Sequence, residues 1–136
     1  MNRILIVEDN IGMRNVLEKT LRMKGYDVFS VGTGENAVRL FTSDIFDLVI
    51  TDLRLPKMDG LEVLKKIKKL SSTTVVIIMT AYGTIENAIE AMKLGAYDYI
   101  LKPFSLEEIE IKVEKALSQQ RIADENVILK EEIKSR

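Results

Sequence analysis

Short runs of consecutive apolar residues alternate along this chain with longer stretches whose apolar positions recur every three or four residues. The first pattern reads as strand and the second as amphipathic helix, because side chains repeat every two residues in one and about every 3.6 in the other. Strands are predicted at Arg3–Val7, Asp27–Val31, Leu48–Thr51, Val75–Thr80 and Tyr99–Leu101. Helices are predicted at Ile11–Lys24, Glu35–Thr42, Leu61–Leu70 and Ile85–Leu94, punctuated by Gly25, Gly32 with Gly34, Gly60, Gly83 and Gly95. "DLVIT" and "TVVIIMT" are apolar without alternation, so those strands are expected to be covered on both faces. Strand and helix in regular alternation imply an α/β domain around a parallel sheet. In the helix that contains "KKIKKL" (Lys65–Leu70), Leu61, Leu64 and Ile67 are expected to face the sheet while the lysines coat the solvated side.

A fifth helix is predicted from Ser105, an N-cap with Glu108 three residues later as its capping-box partner. No glycine or proline follows it. Unbroken to Arg136, it would run about 48 Å at 1.5 Å per residue, farther than the sheet can cover.

The polar residues of chemical interest gather where strands end. In an open parallel sheet the ligand crevice lies beyond the carboxyl ends of the strands, where the connections diverge. Glu8 and Asp9 follow the first strand, and Asp52 follows the third. Three acids converging there without partners would raise one another's pKa, a cost that a hard divalent cation removes; few carboxylates completed by water suit magnesium. The fourth strand ends in Thr80, a hydroxyl, and the fifth in Lys102, an ammonium. Each alone is an ordinary turn or surface residue. Together they supply a carboxylate nucleophile, a metal cage, a hydroxyl and a cation, the inventory of phosphoryl chemistry.

Composition narrows the alternatives. The 136 residues, 46 % of them apolar, suit one domain with a sizeable core. A formal net charge of -1 gives no broad footprint for nucleic acid or an anionic membrane. The absence of cysteine and histidine excludes disulfides, thiolate or imidazole metal sites and histidine-based catalysis. No apolar run reaches the length of a membrane span and "MNRILIVEDN" lacks the form of a signal peptide, so the expected location is the cytoplasm.

From residue 3 to about 118 the chain resembles the receiver domain of bacterial two-component response regulators. The resemblance rests on the acidic pair Glu8 and Asp9, "DLRLPKMDG" with Asp52, Pro56 and Gly60, "TA" at Thr80 and Ala81, and "KPF" with Lys102 and Pro103. It implies a flavodoxin-like (CheY-like) doubly wound sheet of five parallel strands in the order 2-1-3-4-5, with an extended C-terminal helix. It further implies Asp52 as phosphoacceptor, and magnesium held by Glu8, Asp9, Asp52 and the Arg54 carbonyl, where many members have two aspartates in place of Glu8 and Asp9. Thr80, Ala81 and Lys102 would bind the phosphoryl group, with a cis peptide before Pro103. Thr80 and Tyr99 would form the switch. Arg54 and Tyr82, two residues beyond Asp52 and Thr80, would tune dephosphorylation. "YGTIENAIEAMKLGAYDYILKPF" resembles the nitrogen-regulation subfamily, whose receivers control an AAA+ ATPase that activates transcription, so the implied partners are a sensor histidine kinase and an AAA+ output module.

Residues 1–118 are thus expected to form the receiver and 119–136 a helical linker. There Ile122, Asn126, Leu129 and Ile133 follow a four-three-four spacing, a short coiled-coil seam with one polar position that suits a homodimer. Two other readings draw on the same residues. A stand-alone receiver would signal through protein contacts only. A haloacid-dehalogenase-type phosphatase would need a second acid two residues after its nucleophile, where this chain has Arg54.

Overall fold

The protein is described by a computed structural model over residues 2–119, so Ile122, Asn126, Leu129 and Ile133 of the expected seam lie outside the described residues. Strands β1 (Arg3–Val7), β2 (Asp27–Val31), β3 (Leu48–Asp52), β4 (Val75–Thr80) and β5 (Asp98–Leu101) alternate with helices α1 (Ile11–Met23), α2 (Gly34–Leu40), α3 (Gly60–Leu70) and α4 (Ile85–Lys93). Residues 106–119 are helical and are called α5 here. The strands are parallel in the order β2-β1-β3-β4-β5, as expected.

Both faces of the sheet are buried, which is why its central strands read as unbroken apolar runs. Ile4, Ile6, Leu48, Ile50, Ile77 and Met79 pack toward Leu17 and Leu21 of α1 and Ile109 and Val113 of α5. The intervening positions, Leu5, Val7, Val49, Val76 and Ile78, pack against Ala37, Val63, Leu64, Ile67 and Ala91 from the other helices. At about 1.5–3 kcal/mol for each large apolar side chain, these two layers dominate the stability of the fold.

Helix starts follow their caps. Asn10, Thr33, Asp59 and Thr84 each accept, through the side chain, the main-chain N–H three residues on. The Ser105 hydroxyl accepts the Glu108 N–H at 3.1 Å, so the predicted start of the fifth helix is correct. Helix α2 stops at Leu40, short of the predicted Thr42, whose hydroxyl turns back onto the Arg39 carbonyl at 2.7 Å. The lysine run also departs from expectation: Lys65, Lys66 and Lys69 are exposed, but Lys68 is half-buried and donates to the Thr74 carbonyl at 2.7 Å. Burial lowers its pKa. Leu61 is only partly buried, and Val63 takes the core position beside Leu64 and Ile67.

At the amino end of the sheet, the Arg3 guanidinium lies 5.0 Å from the Phe29 ring centroid and 4.9 Å from that of Phe46. That end is closed by packing. The chemistry sits at the other end.

Candidate functional site

The order of strands reverses direction between β1 and β3, and the register brings Val7 beside Thr51, Asp52 beside Met79 and Thr80 beside Leu101. The residues that follow these positions therefore share one edge. The Glu8 N–H continues the ladder onto Val31 O at 3.1 Å, and the Lys102 N–H continues it onto Thr80 O at 2.9 Å. Both residues are thus fixed in strand geometry and their side chains point into one crevice. The Lys102–Pro103 peptide is cis, as the resemblance implies.

The side chains meet there. Carboxylate oxygens of Glu8, Asp9 and Asp52 all lie within 4.8 Å of one another, and the Lys102 ammonium donates to Glu8 Oε1 and to Asp52 Oδ2, both at 2.8 Å. Three acids face one ammonium, so the crevice carries an excess of negative charge. Glu8 and Asp52 are buried, and Asp9 stands at the exposed rim. The buried Glu8 Oε2 has no hydrogen-bond partner. Burial first, and then the adjacent Asp52, push the Glu8 pKa up to about 7 against the opposing pull of Lys102. For Lys102, burial favours the neutral amine, but hydrogen bonds to Asp52 and Glu8 outweigh it and raise the pKa.

A pH dependence follows from Glu8. Because the folded state binds its proton more tightly than the unfolded chain does, its contribution to stability is complete below about 4.5 and is lost as pH rises to about 7. Without divalent cations, the melting temperature of the wild type is expected to fall by about 5 °C more than that of Glu8→Gln between pH 5 and pH 8. Calorimetry of both proteins checks this; parallel pH profiles would remove Glu8 as the cause.

Thr80 is fully buried, and its hydroxyl accepts the Tyr82 N–H at 3.0 Å. Ala81, beside it, is exposed. The Arg54 N–H donates to Asp52 Oδ1 at 3.1 Å. Tyr99 lies on β5 with its ring half-buried and its Oη buried without a hydrogen-bond partner. Burial raises the Tyr99 pKa, and the nearby Thr84 main chain tempers that rise. The structure therefore brings Glu8, Asp9, Asp52 and Lys102 to one crevice, with Thr80 buried at the neighbouring strand end, Arg54, Ala81 and Tyr82 in the loops that follow β3 and β4, and Tyr99 against the β4–α4 loop.

Two features were missed in the sequence. Lys102 already bridges two carboxylates, whereas its charge alone suggested only an anion as partner. The Arg54 guanidinium lies 4.5 Å from the Tyr82 ring centroid, a stack between two loops that no local spacing announces. Pro56, Asp59 and Asn87 line a cleft with Asp9 and Arg54.

A doubly wound sheet whose reversal point gathers three acids, a hydroxyl and an ammonium defines a class: α/β modules equipped to hold a hard cation and an anion side by side. Within it, the chain belongs to the response regulator receiver domain family, whose profile matches residues 4–114. It is 39% identical over 125 residues to the regulatory protein AtoC of Escherichia coli K12, an alignment that takes in 92% of this chain and 27% of AtoC. It is 40% identical over 115 residues to sporulation initiation phosphotransferase F of Bacillus subtilis, covering 85% of this chain and 93% of that protein. Among solved structures, NtrX from Brucella abortus superposes with a TM-score of 0.88 at 30% identity, over 95% of this chain and 30% of NtrX. The beryllofluoride-activated NtrC4 receiver domain dimer gives 0.84 at 30% identity, over 88% of this chain and 99% of that one. The chain spans about a quarter of AtoC. AtoC, NtrX and NtrC4 agree with the nitrogen-regulation resemblance of the 82–104 stretch.

Proposed function

We propose that this chain is the phosphorylation-controlled switch of a cytoplasmic two-component system, with Asp52 as the phosphoacceptor. The observation that carries this reading is the 2.8 Å pairing of Lys102 with Asp52, in a crevice that also holds Glu8 and Asp9, with Thr80 buried at the end of the adjacent strand. A carboxylate oxygen of Asp52 attacks the phosphorus of a phosphohistidine on a separate sensor kinase; the N–P bond breaks, the imidazole leaves, and an acyl phosphate forms. Lys102, held at the reaction centre, balances charge on the transferring group, while Thr80 and the Ala81 main chain receive its oxygens.

The excess of acid and the unpartnered Glu8 Oε2 fit a hard cation, and Glu8, Asp9, Asp52 and the Arg54 carbonyl are the groups proposed to hold magnesium. When bound, magnesium supplies electrostatic stabilisation for the phosphoryl oxygens. Because Glu8 has to give up its proton, magnesium is expected to raise the melting temperature more at pH 8 than at pH 5.

Thr80 would turn from the Tyr82 N–H toward the new phosphoryl group, and Tyr99 would enter the space it leaves, shifting a two-state surface on β4, α4 and β5. Arg54 and Tyr82 would govern the lifetime of the acyl phosphate by covering Asp52. In the longer protein to which such a domain belongs, the readout would be an AAA+ transcriptional activator, with a homodimer joined through Ile122, Asn126, Leu129 and Ile133. Light scattering of the full chain against one ending at Leu117 tests the seam, and equal monomer masses would remove it. The central test is intact-mass spectrometry after acetyl phosphate and magnesium: a gain of one phosphoryl group, lost on chelation of the metal, supports the reading, and no gain overturns it.

A further inference from the structure

Arg54 and Tyr82 belong to the β3–α3 and β4–α4 loops, and their stack joins the two. Each is also tied by its main chain to the strand end beneath it, Arg54 N–H to Asp52 Oδ1 and Tyr82 N–H to Thr80 Oγ1. With the β3–β4 ladder, where Asp52 pairs with Met79, these contacts close a ring around the site. The ring reaches further through Gly83. A Cβ there would come within 3.1 Å of Tyr99 Oη and 2.3 Å of Leu101 Cδ2, so the loop lies directly on β5. Thr84 follows and caps α4 through the Asn87 N–H at 3.0 Å. Where Tyr82 sits therefore fixes the room around Tyr99 and the first turn of α4.

We propose that the Arg54–Tyr82 stack is a latch that holds the β4–α4 loop against Tyr99 and so sets the conformational equilibrium of the α4–β5 surface before any phosphoryl group arrives. Arg54 and Tyr82 are positioning residues in this role: they act on Tyr99 through Gly83 and touch neither Tyr99 nor α4 by any described hydrogen bond. The proposal rests on the receiver reading for the meaning of the two states. The stack is exposed, with Tyr82 59% accessible, and an exposed cation–π contact moves an equilibrium by roughly two- to fivefold. Because both partners are needed for one contact, removing the second after the first changes nothing more.

The test uses the full chain with isotope-labelled tyrosine, without phosphodonor or magnesium, and follows the Tyr99 ring signal, assigned with Tyr99→Phe, by relaxation-dispersion NMR. Arg54→Ala and Tyr82→Ala are each expected to raise the minor Tyr99 population about threefold, and the double variant to raise it no further. Arg54→Lys, which keeps a cation over the ring, and Tyr82→Phe, which keeps the ring, are expected to stay near wild type. An unchanged Tyr99 population in both alanine variants, or effects that add in the double variant, would overturn the latch. Since no phosphoryl transfer is involved, the result stands apart from the labelling of Asp52: a failed mass gain removes the receiver chemistry, and a silent Tyr99 removes only the latch.

Discussion

Asp52→Asn is expected to abolish phosphoryl incorporation while leaving the fold at least as stable as before. The amide matches the carboxylate in size and keeps an oxygen where Oδ1 accepts the Arg54 N–H, so the β3–α3 loop retains its anchor. What is lost is the anionic nucleophile, and a neutral amide does not form an acyl phosphate. The crevice loses one of three acids facing one ammonium, while Lys102 keeps its 2.8 Å contact with Glu8. Relief of like-charge repulsion offsets the lost Lys102–Asp52 contact, because a buried ion pair set among excess acids is weak support for stability. The expected record is no added phosphoryl mass in the variant after acetyl phosphate and magnesium, full addition in the wild type, and melting temperatures within a few degrees. Equal labelling of the variant would move the acceptor elsewhere. Collapse of its fold would instead show that Asp52 is needed structurally.

Those contrasting outcomes mirror what the chain discloses by sequence. The sheet was legible because burial on both faces imposes continuous apolar runs at β3 and β4, and such runs with turns between them have few other folds open to them. Asp52 and Thr80 were legible as a candidate site only jointly: each alone is an ordinary turn residue, but with Glu8, Asp9 and Lys102 they end strands at one edge of the sheet. Contacts between loops were not legible. The Arg54–Tyr82 stack joins residues far apart in sequence, and it forms only because β3 and β4 are neighbours. The Lys102 bridge likewise depends on β1, β3 and β5 ending at one level, which propensity does not encode. Lys68 shows the converse error. Its place on the polar side of α3 is clear from periodicity, yet its long stem lets the ammonium fold back to the Thr74 carbonyl.

Gly60→Ala is expected to be the most damaging single methyl in the domain. Gly60 opens α3 directly behind the end of β3, where its N–H donates to Leu53 O at 2.8 Å. An added Cβ would come within 2.3 Å of Asp52 O and 2.8 Å of Leu53 Cα, both main-chain atoms that no rotamer change can move. Either α3 backs away, opening its contacts through Val63, Leu64 and Ile67, or the end of β3 shifts and carries Asp52 with it. Overpacking of this kind costs about 3 kcal/mol, at the upper end of its usual range. Gly25 supplies the comparison: its φ of 93° strains an alanine, but nothing lies within 4 Å of the new methyl, so the cost is conformational alone, about 1–2 kcal/mol. With a urea slope of about 2 kcal/mol/M, Gly60→Ala is expected to lower the unfolding midpoint by roughly 1.5 M and Gly25→Ala by about half that. Function separates them more sharply. Gly25 lies after α1, remote from the crevice, and its variant is expected to label at the wild-type rate below its midpoint, whereas the Gly60 variant labels more slowly even where it is fully folded. Equal labelling rates for the two folded variants would mean that α3 yields and the end of β3 does not, leaving Asp52 where the wild-type sheet puts it.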